Sequence, residues 1–349
     1  MSVTIKDIAK LSGVGISTVS RVMNNSGFAS PETKEKVMEA VRELNYIPNN
    51  NARNLKIGQS KTIVLLAKSI TNPFFQKMIH TIEQKVMLRG YKLEIRNVNA
   101  TGQEMTIARQ ELQDRSLCAI ILMGGCFEYT NEDFKHLGVP CVLLTVTAGP
   151  DVDKELYSSV IIDDEAENYK ATEYLIQLGH RRIGCIYNAY GNVKTPNTLR
   201  FEGYKRALEE HGIAFDPILT STMNASQSGY EFGFNMMKNL LIRNKDMTAV
   251  VTMADIMAVG AAKAILSEGL RIPEDISVIG FDGIEAAEYY SPALDTISQP
   301  AEQMAISAID ALFAMIMGQK TSHVVYKATL LKRGSCISMG NYQKKERNL

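Results

Sequence analysis

The sequence contains no tryptophan, five cysteines and five histidines, and no apolar run near the ~18 residues that a membrane-spanning helix needs. The missing run excludes a helical span, and the opening MSVTIKDIAK lacks the apolar core of a secretory signal, so a cytoplasmic location is expected. Cys118, Cys126, Cys141, Cys185 and Cys336 are odd in number, form no CxxC pair, and mostly fall in apolar segments that read as buried strands or their ends. Reduced packing residues are expected. His80, His136, His180, His211 and His323 are equally scattered, so neither a metal site nor a cofactor is suggested. No GxSxG, GxxxxGK[ST] or HExxH motif occurs, which removes the common hydrolase and phosphate-loop chemistries. The thiol in MGGCF (123–127) has no base nearby, and a turn after a buried strand is its plainer use. No catalytic residue is assigned, and the chain reads as something other than an enzyme.

What is present is enough chain, 349 residues at 45% hydrophobic, for two or three separate cores. The formal net charge of zero hides an asymmetry. Residues 1–60 carry eight basic and five acidic side chains, and the remainder carries 30 basic and 33 acidic. A basic N-terminal module on a slightly acidic body suits a polyanionic partner, although solvated helices reach the same balance.

The first 60 residues have helical periodicity. Thr4 followed by Asp7 can cap a helix with Ile5, Ile8, Ala9 and Leu11 on one face, and Gly13 supplies its turn. A second helix begins near Ser17. Ser30-Pro31 places an N-cap and a first-position proline before a third helix whose inner face is Val37, Val41 and Leu44, ending near Tyr46 and Pro48. The spacing of Ala9, Gly13 and Val19 suits a helix-turn-helix: the alanine allows close approach, the glycine a left-handed turn, and the valine an anchor. Ile16, Ser17, Ser20 and Arg21 then point away from the core. Short side chains at the leading end of a helix let it approach base edges in a major groove, whereas a helical hairpin with a polar surface is the alternative.

Residues 3–25, VTIKDIAKLSGVGISTVSRVMNN, followed by VRELNYIPNNNARNLK, resemble the N-terminal module of the lac repressor family, the LacI/GalR-type bacterial transcription regulators. The resemblance continues to about residue 338 through NPFF (72–75), LGHRRIG (178–184), RFEGYKRAL (200–208) and ADIMAVGAAKAILSEGLRIPEDISVIGFD (254–282). It implies a repressor that binds double-stranded operator DNA through Thr4, Ile16, Ser17, Thr18, Ser20, Arg21, Asn24, Tyr46, Asn49, Ala52, Arg53 and Leu55. The triple asparagine at 49–51 is a poor helix former alone. In the family this segment becomes a hinge helix on the operator, and Leu55 matches the leucine that wedges into the minor groove and kinks it. Gly15 stands where relatives commonly have a capping serine, a role that glycine also serves.

From Lys61 onward, apolar runs at 62–67, 92–95, 119–123 and 141–146 alternate with amphipathic stretches of helical length, and a second set follows at 159–162, 182–187, 248–253 and 277–282. Strands buried on both faces between helices imply parallel sheets, and two sets imply two doubly wound α/β lobes. The resemblance adds that the lobes look like type I periplasmic sugar-binding proteins. The expected organisation is an all-α helix-turn-helix head (1–47), a hinge (48–60), a first lobe (61–161 and 292–322), a second lobe (162–291 and 323–340) and a tail (341–349). The chain would cross between lobes near 160 and 291, and the final strand, 324–333, would join the second lobe.

Ligands of open α/β sheets bind at the carboxyl ends of strands, where two facing lobes form a cleft. Asp282 ends one strand, Ser69 and Asp255 follow others, and Arg200 opens a helix. A guanidinium fork facing a carboxylate can hold vicinal hydroxyls or a heterocycle edge. The resemblance matches Arg200 and Asp282 to positions that bind a small-molecule effector, most simply a carbohydrate and alternatively a purine, with Ser69, Phe74, Phe75, Asn224 and Asp255 around it. Asp255 reads better as a helix N-cap or interlobe contact. Asn224 replaces a common stacking aromatic, Thr145 and Ser69 replace common aspartates, and stacking would fall to Phe74 or Phe75 unless these are core. Asp310 stands where relatives that use a phosphorylated corepressor protein carry a basic residue, so such a partner would be repelled. A homodimer is implied, with the NPFF helix and the helix at 301–317 at its interface, and the tail shows no heptads for a tetramer. The main rival is a sugar-binding protein with no DNA role, against which the first 60 residues argue.

Overall fold

A computed structural model of the chain describes residues 5–23, 29–44, 60–98, 104–189, 193–222 and 229–340. The head consists of the helices Ile5–Ser12, Ile16–Met23 and Pro31–Glu43. Ile8, Val19, Val22, Val37 and Ala40 are its buried core, with Ala9, Val14, Val41 and Leu44 packed around them. Gly13 takes the left-handed turn at φ +68°. The Gly15 carbonyl accepts from Thr18 and Val19 N–H at 2.8 and 3.0 Å, so the second helix starts at Ile16 on backbone bonds. Ser30 caps the third helix by accepting from Thr33 N–H, with Pro31 at its first turn.

Among the described residues the body holds two six-stranded sheets. The first has the order β11-β5-β4-β3-β1-β2, from β1 (Thr62–Lys68), β2 (Lys92–Val98), β3 (Ala119–Met123), β4 (Cys141–Leu144), β5 (Ser158–Ile162) and β11 (His323–Tyr326). The second has the order β12-β10-β9-β8-β6-β7, from β6 (Ile183–Ile186), β7 (Thr220–Ser221), β8 (Ala249–Thr252), β9 (Ser277–Asp282), β10 (Asp295–Ser298) and β12 (Thr329–Leu331). All pairings are parallel except β10 with β12. Apolar runs such as β3 (AIILM), buried at every position, form the centres of the sheets because helices cover both faces.

Sheet pairing moves the lobe boundaries. The run at 159–162, expected to open the second set, pairs with β4 and belongs to the first sheet. The chain does not return to the first lobe at 291, because β10 pairs with β9 and the return follows Ser298. The stretch expected as one final strand is two: β11 pairs with β5 in the first sheet, and only Lys327 and Ala328 separate it from β12 in the second. The physical reason is polar satisfaction. β10 reads DTIS and has little apolar signal, yet Asp295 is buried because its Oδ1 accepts from the N–H groups of Arg333, Gly334 and Ser335. β11 lies at an edge, where half-exposed HVVY needs no apolar pattern.

Among the described residues no helix is long and apolar enough to cross a membrane. Cys118, Cys141 and Cys185 are buried, Cys126 and Cys336 half-buried, and all five are free thiols.

Candidate functional site

Parallel strands put their carboxyl ends on one edge of each sheet, and the unusual backbone of the body collects there. Among the described residues the non-glycine positions of positive φ are Ser69 after β1 (59°), Thr145 after β4 (68°) and Asp282 at the end of β9 (119°). A β-branched threonine in this region is strained, and such strain gathers where a loop must present a group in one direction.

Asp282 is a node between the lobes. Its Oδ1 accepts from Gln299 Nε2 at 2.8 Å, Asn72 Nδ2 of the first lobe points to its Oδ2 at 3.4 Å, and Arg200 Nη1 lies 3.7 Å from its Oδ1. Asn72 also caps the helix Pro73–Leu88 by accepting from Phe74 N–H at 3.0 Å, so one amide both starts that helix and reaches across to the second lobe. A backbone bond from Phe127 N–H to the Lys194 carbonyl, 3.1 Å, joins the lobes elsewhere.

Arg200 sits in the first turn and a half of the helix Pro196–Glu210, which Thr195 and Thr198 start as a capping box. Its Nε donates to Asp164 Oδ1 at 2.7 Å and its Nη1 to the Met253 carbonyl at 2.5 Å, while the guanidinium lies 3.7 Å above the Phe281 ring. Burial raises Asp282 and Asp164 to about 6 each, with Arg200 pulling both back down. Asp255 is raised to about 7 by burial and by the neighbouring Asp282 charge.

Asp255 serves neither as its own helix cap nor as an interlobe contact. Its Oδ2 accepts from Gly283 and Ile284 N–H at 2.7 and 2.8 Å, and its Oδ1 from the Thr296 hydroxyl at 2.7 Å, all within the second lobe. It therefore holds the turn that aims Asp282.

Of the anticipated cleft residues, Arg200 and Asp282 come together, with Asp255 behind them and Ser69 on the facing edge. Phe74 does not offer an open ring: it is buried in the first-lobe core, and Phe75 packs half-buried against the same cluster. Asn224 lies outside the described residues. In the head, Ile16 is 46% exposed, Ser17 and Arg21 are exposed, and Thr18 and Ser20 are half-buried. Thr4, Asn24, Tyr46, Asn49, Ala52, Arg53 and Leu55 lie outside the described residues.

Sequence reading missed Asp164, Asn72 and Gln299. Asp164 had a usable signal, as the second carboxylate directly after the apolar SVII run; Asn72 was visible only as the first residue of NPFF, with its partner 210 positions away, and Gln299 had no signal because its partner lies in another element.

Comparison with known proteins places this geometry. Residues 4–49 match the family described as bacterial regulatory proteins, lacI family, and residues 172–336 match a periplasmic binding protein-like domain. The HTH-type transcriptional regulator MalR of Clostridium butyricum is 38% identical over 339 residues, covering 96% of this chain and 99% of its own. The ribose operon repressor of Haemophilus influenzae is 36% identical, with coverage of 96% and 99%. Among solved structures, the complex of the transcriptional regulator CelR with cellobiose superposes with a TM-score of 0.72 at 29% identity, covering 95% of this chain and 99% of that one. The lac repressor dimer bound to operator and the anti-inducer ONPF gives 0.66 at 27%, covering 97% and 100%. These relatives are transcription regulators, not enzymes. With a helix-turn-helix head, two parallel-sheet lobes and full-length similarity to such regulators, the chain belongs to the lacI family of bacterial regulatory proteins.

Proposed function

We propose that this regulator is a repressor that binds a pseudo-palindromic operator as a homodimer and is controlled by a carbohydrate held between Arg200 and Asp282. The observation that carries the ligand reading is the approach of Arg200 Nη1 to Asp282 Oδ1, 3.7 Å, at the strand ends where Asn72 of the other lobe also arrives. A hydroxyl can donate to the carboxylate and accept from a neighbouring N–H at once, whereas an apolar ligand would leave buried polar groups unpaired. A flat heterocycle would want an open aromatic face. Phe74 is in the core and the Phe281 ring is covered by the Arg200 guanidinium, which favours hydroxyl recognition over stacking. The relative CelR was solved with cellobiose, and another relative is named for the ribose operon.

For DNA, the support is the exposed leading end of the helix Ile16–Met23, with Ile16, Ser17 and Arg21 outward and Val19 and Val22 inward. Leu55, with Tyr46, Asn49, Ala52 and Arg53, is assigned to a hinge that wedges the minor groove. For the dimer, the support is the pairing of the helices Pro73–Leu88 and Ala301–Ile316, beside which Met87, Leu88 and Met317 are 67%, 78% and 68% exposed. A related structure is a dimer on its operator.

A gel-shift screen against genomic fragments, repeated with a panel of sugars, tests the whole reading. A retarded fragment containing two half-sites, whose retardation responds to one sugar, is expected. The DNA role is wrong if no fragment is retarded with or without any sugar. Replacing Arg200 or Asp282 by alanine should weaken the active sugar by about 2 kcal/mol or more in calorimetry, because a charge-assisted bond is lost and its partner is left buried.

A further inference from the structure

We propose that the cleft is built for a ligand without formal negative charge, an unphosphorylated carbohydrate, and that Asp164 is the residue that sets this preference by occupying the Arg200 guanidinium. The inference rests on the carbohydrate reading above and narrows it. An arginine that recognises phosphate keeps a face of its fork free for two parallel N–H···O bonds. In Arg200 one edge of that fork, the side carrying Nε, is taken and its charge is balanced. Its Nε is held by Asp164 at 2.7 Å, its Nη1 by the Met253 carbonyl at 2.5 Å, and its plane lies against Phe281.

The cation at the end of β1 on the facing lobe is committed in the same way. Lys68 Nζ pairs with Glu104 Oε2 at 3.0 Å, both largely buried, and Glu104 Oε1 accepts from the Tyr129 hydroxyl at 2.8 Å. Four buried carboxylates, Asp164, Asp282, Asp255 and Glu104, thus accompany two cations. Asp282 shares Arg200 with Asp164, at 3.7 Å against 2.7 Å, and Asp255 is satisfied by N–H and O–H donors without a cation. Burial is the main cause that raises Asp164, Asp282 and Asp255, and a neighbouring carboxylate charge adds to it in each.

A phosphate brought here would meet a guanidinium whose charge Asp164 already balances, and the further carboxylates Asp282 and Asp255. A neutral hydroxyl would meet Asp282 as an acceptor, and also Thr145, whose Oγ1 at the end of β4 is buried with no hydrogen-bond partner. That hydroxyl is a neutral group that either donates or accepts, suited to a sugar and offering no charge to an anion.

The test uses the full chain at mildly alkaline pH, where the carboxylates are ionised. Inorganic phosphate, glucose, glucose 6-phosphate, maltose and maltose 6′-phosphate are compared by calorimetry and thermal shift on the wild type, Asp164→Asn and Asp282→Asn. Each phosphate ester should bind the wild type at least about 100-fold more weakly than its parent sugar, and inorganic phosphate should give no shift. Asp164→Asn frees one edge of the fork and should gain about tenfold or more in affinity for phosphate and the esters. Asp282→Asn removes a repelling charge and should gain in the same direction, which keeps the test decisive if Asp164→Asn does not fold. Equal binding of an ester and its parent by the wild type overturns the proposal, as does the absence of any gain in the folded variants. If no neutral sugar binds the wild type, the carbohydrate reading fails, while a gain of phosphate binding in the variants still supports the assignment of charge preference to Asp164.

Discussion

Asp255 shows how one side chain can serve a site without facing it. Fully buried, it holds the Gly283–Ile284 turn with both carboxylate oxygens, and Asp282 is aimed by that turn. A folded-state value of about 7, above the ordinary 3.8, means the folded chain holds a proton that the unfolded chain has released between those limits. The resulting stability is complete below about 4 and is lost as pH rises through about 7. Asp255→Asn should therefore cost most in acid, and the gap between variant and wild type should shrink by about 1–3 kcal/mol between pH 5 and pH 8 in denaturant unfolding. A constant gap would mean that Asp255 stays ionised throughout. Arg200 and Asp282 were legible as candidates because Asp282 ends a readable strand and Arg200 opens the helix after another. Asp255 was legible as structural but not in what it holds, since its partners lie 28, 29 and 41 positions away.

Helices do the positioning at the next scale. The helix Ile16–Met23 turns Val19 and Val22 inward, which leaves Ile16, Ser17 and Arg21 on the far side. Exchanging Ile16 and Ser17 for residues of other hydrogen-bonding character should alter the preferred operator sequence at about 1–3 kcal/mol per lost base contact, with head stability nearly unchanged. Selection of binding sites from random DNA reads the outcome, and an unaltered preference would place the reading surface elsewhere. In the second lobe, Gly203 lets the helix Pro196–Glu210 lie directly on Asp164–Gln177, because a Cβ there would overlap the Glu165 carbonyl. Gly203→Ala should push these helices apart, cost about 1–3 kcal/mol of stability, and weaken ligand binding by loosening the Arg200–Asp164 pair. If stability falls while ligand affinity is untouched, that pair does not depend on the helix contact. The glycine was visible in RFEGYKRAL, but nothing in its neighbours announced which backbone it approaches.

The whole molecule is modular. The head has its own buried cluster around Ile8, Val19 and Val37, separate from the two clusters of the body. Removing residues before about Gly58 should leave a body that melts cooperatively and binds the effector sugar as the intact chain does, yet retards no operator. Loss of sugar binding in a folded body would show that the head contributes to the cleft. In the body the lobes communicate through three crossings, after β5, after β10 and between β11 and β12. Two of them are tied to the buried polar groups there: Gln299 Nε2 donates to Asp282, and Ala328 N–H to Glu167. The Asp282 side chain is thus tied directly to one of the segments that cross between the lobes.

The sequence alone determined the kind and order of the strongly patterned elements, since periodicity of burial, proline and glycine punctuation and helix caps act over a few residues and are written in the neighbouring chain. It also determined the family, through motifs that run the length of the chain. Only the tertiary structure decided which strands share a sheet, because β10 and β11 have little apolar pattern and are placed by the buried satisfaction of Asp295 and by an open edge beside β5. Likewise, that Arg200 is already neutralised by Asp164, and that Asn72 reaches Asp282, follow from contacts 36 and 210 positions apart. Local propensity cannot encode such contacts; they arise when the packed lobes bring distant polar groups into a space without water, where each must find a partner.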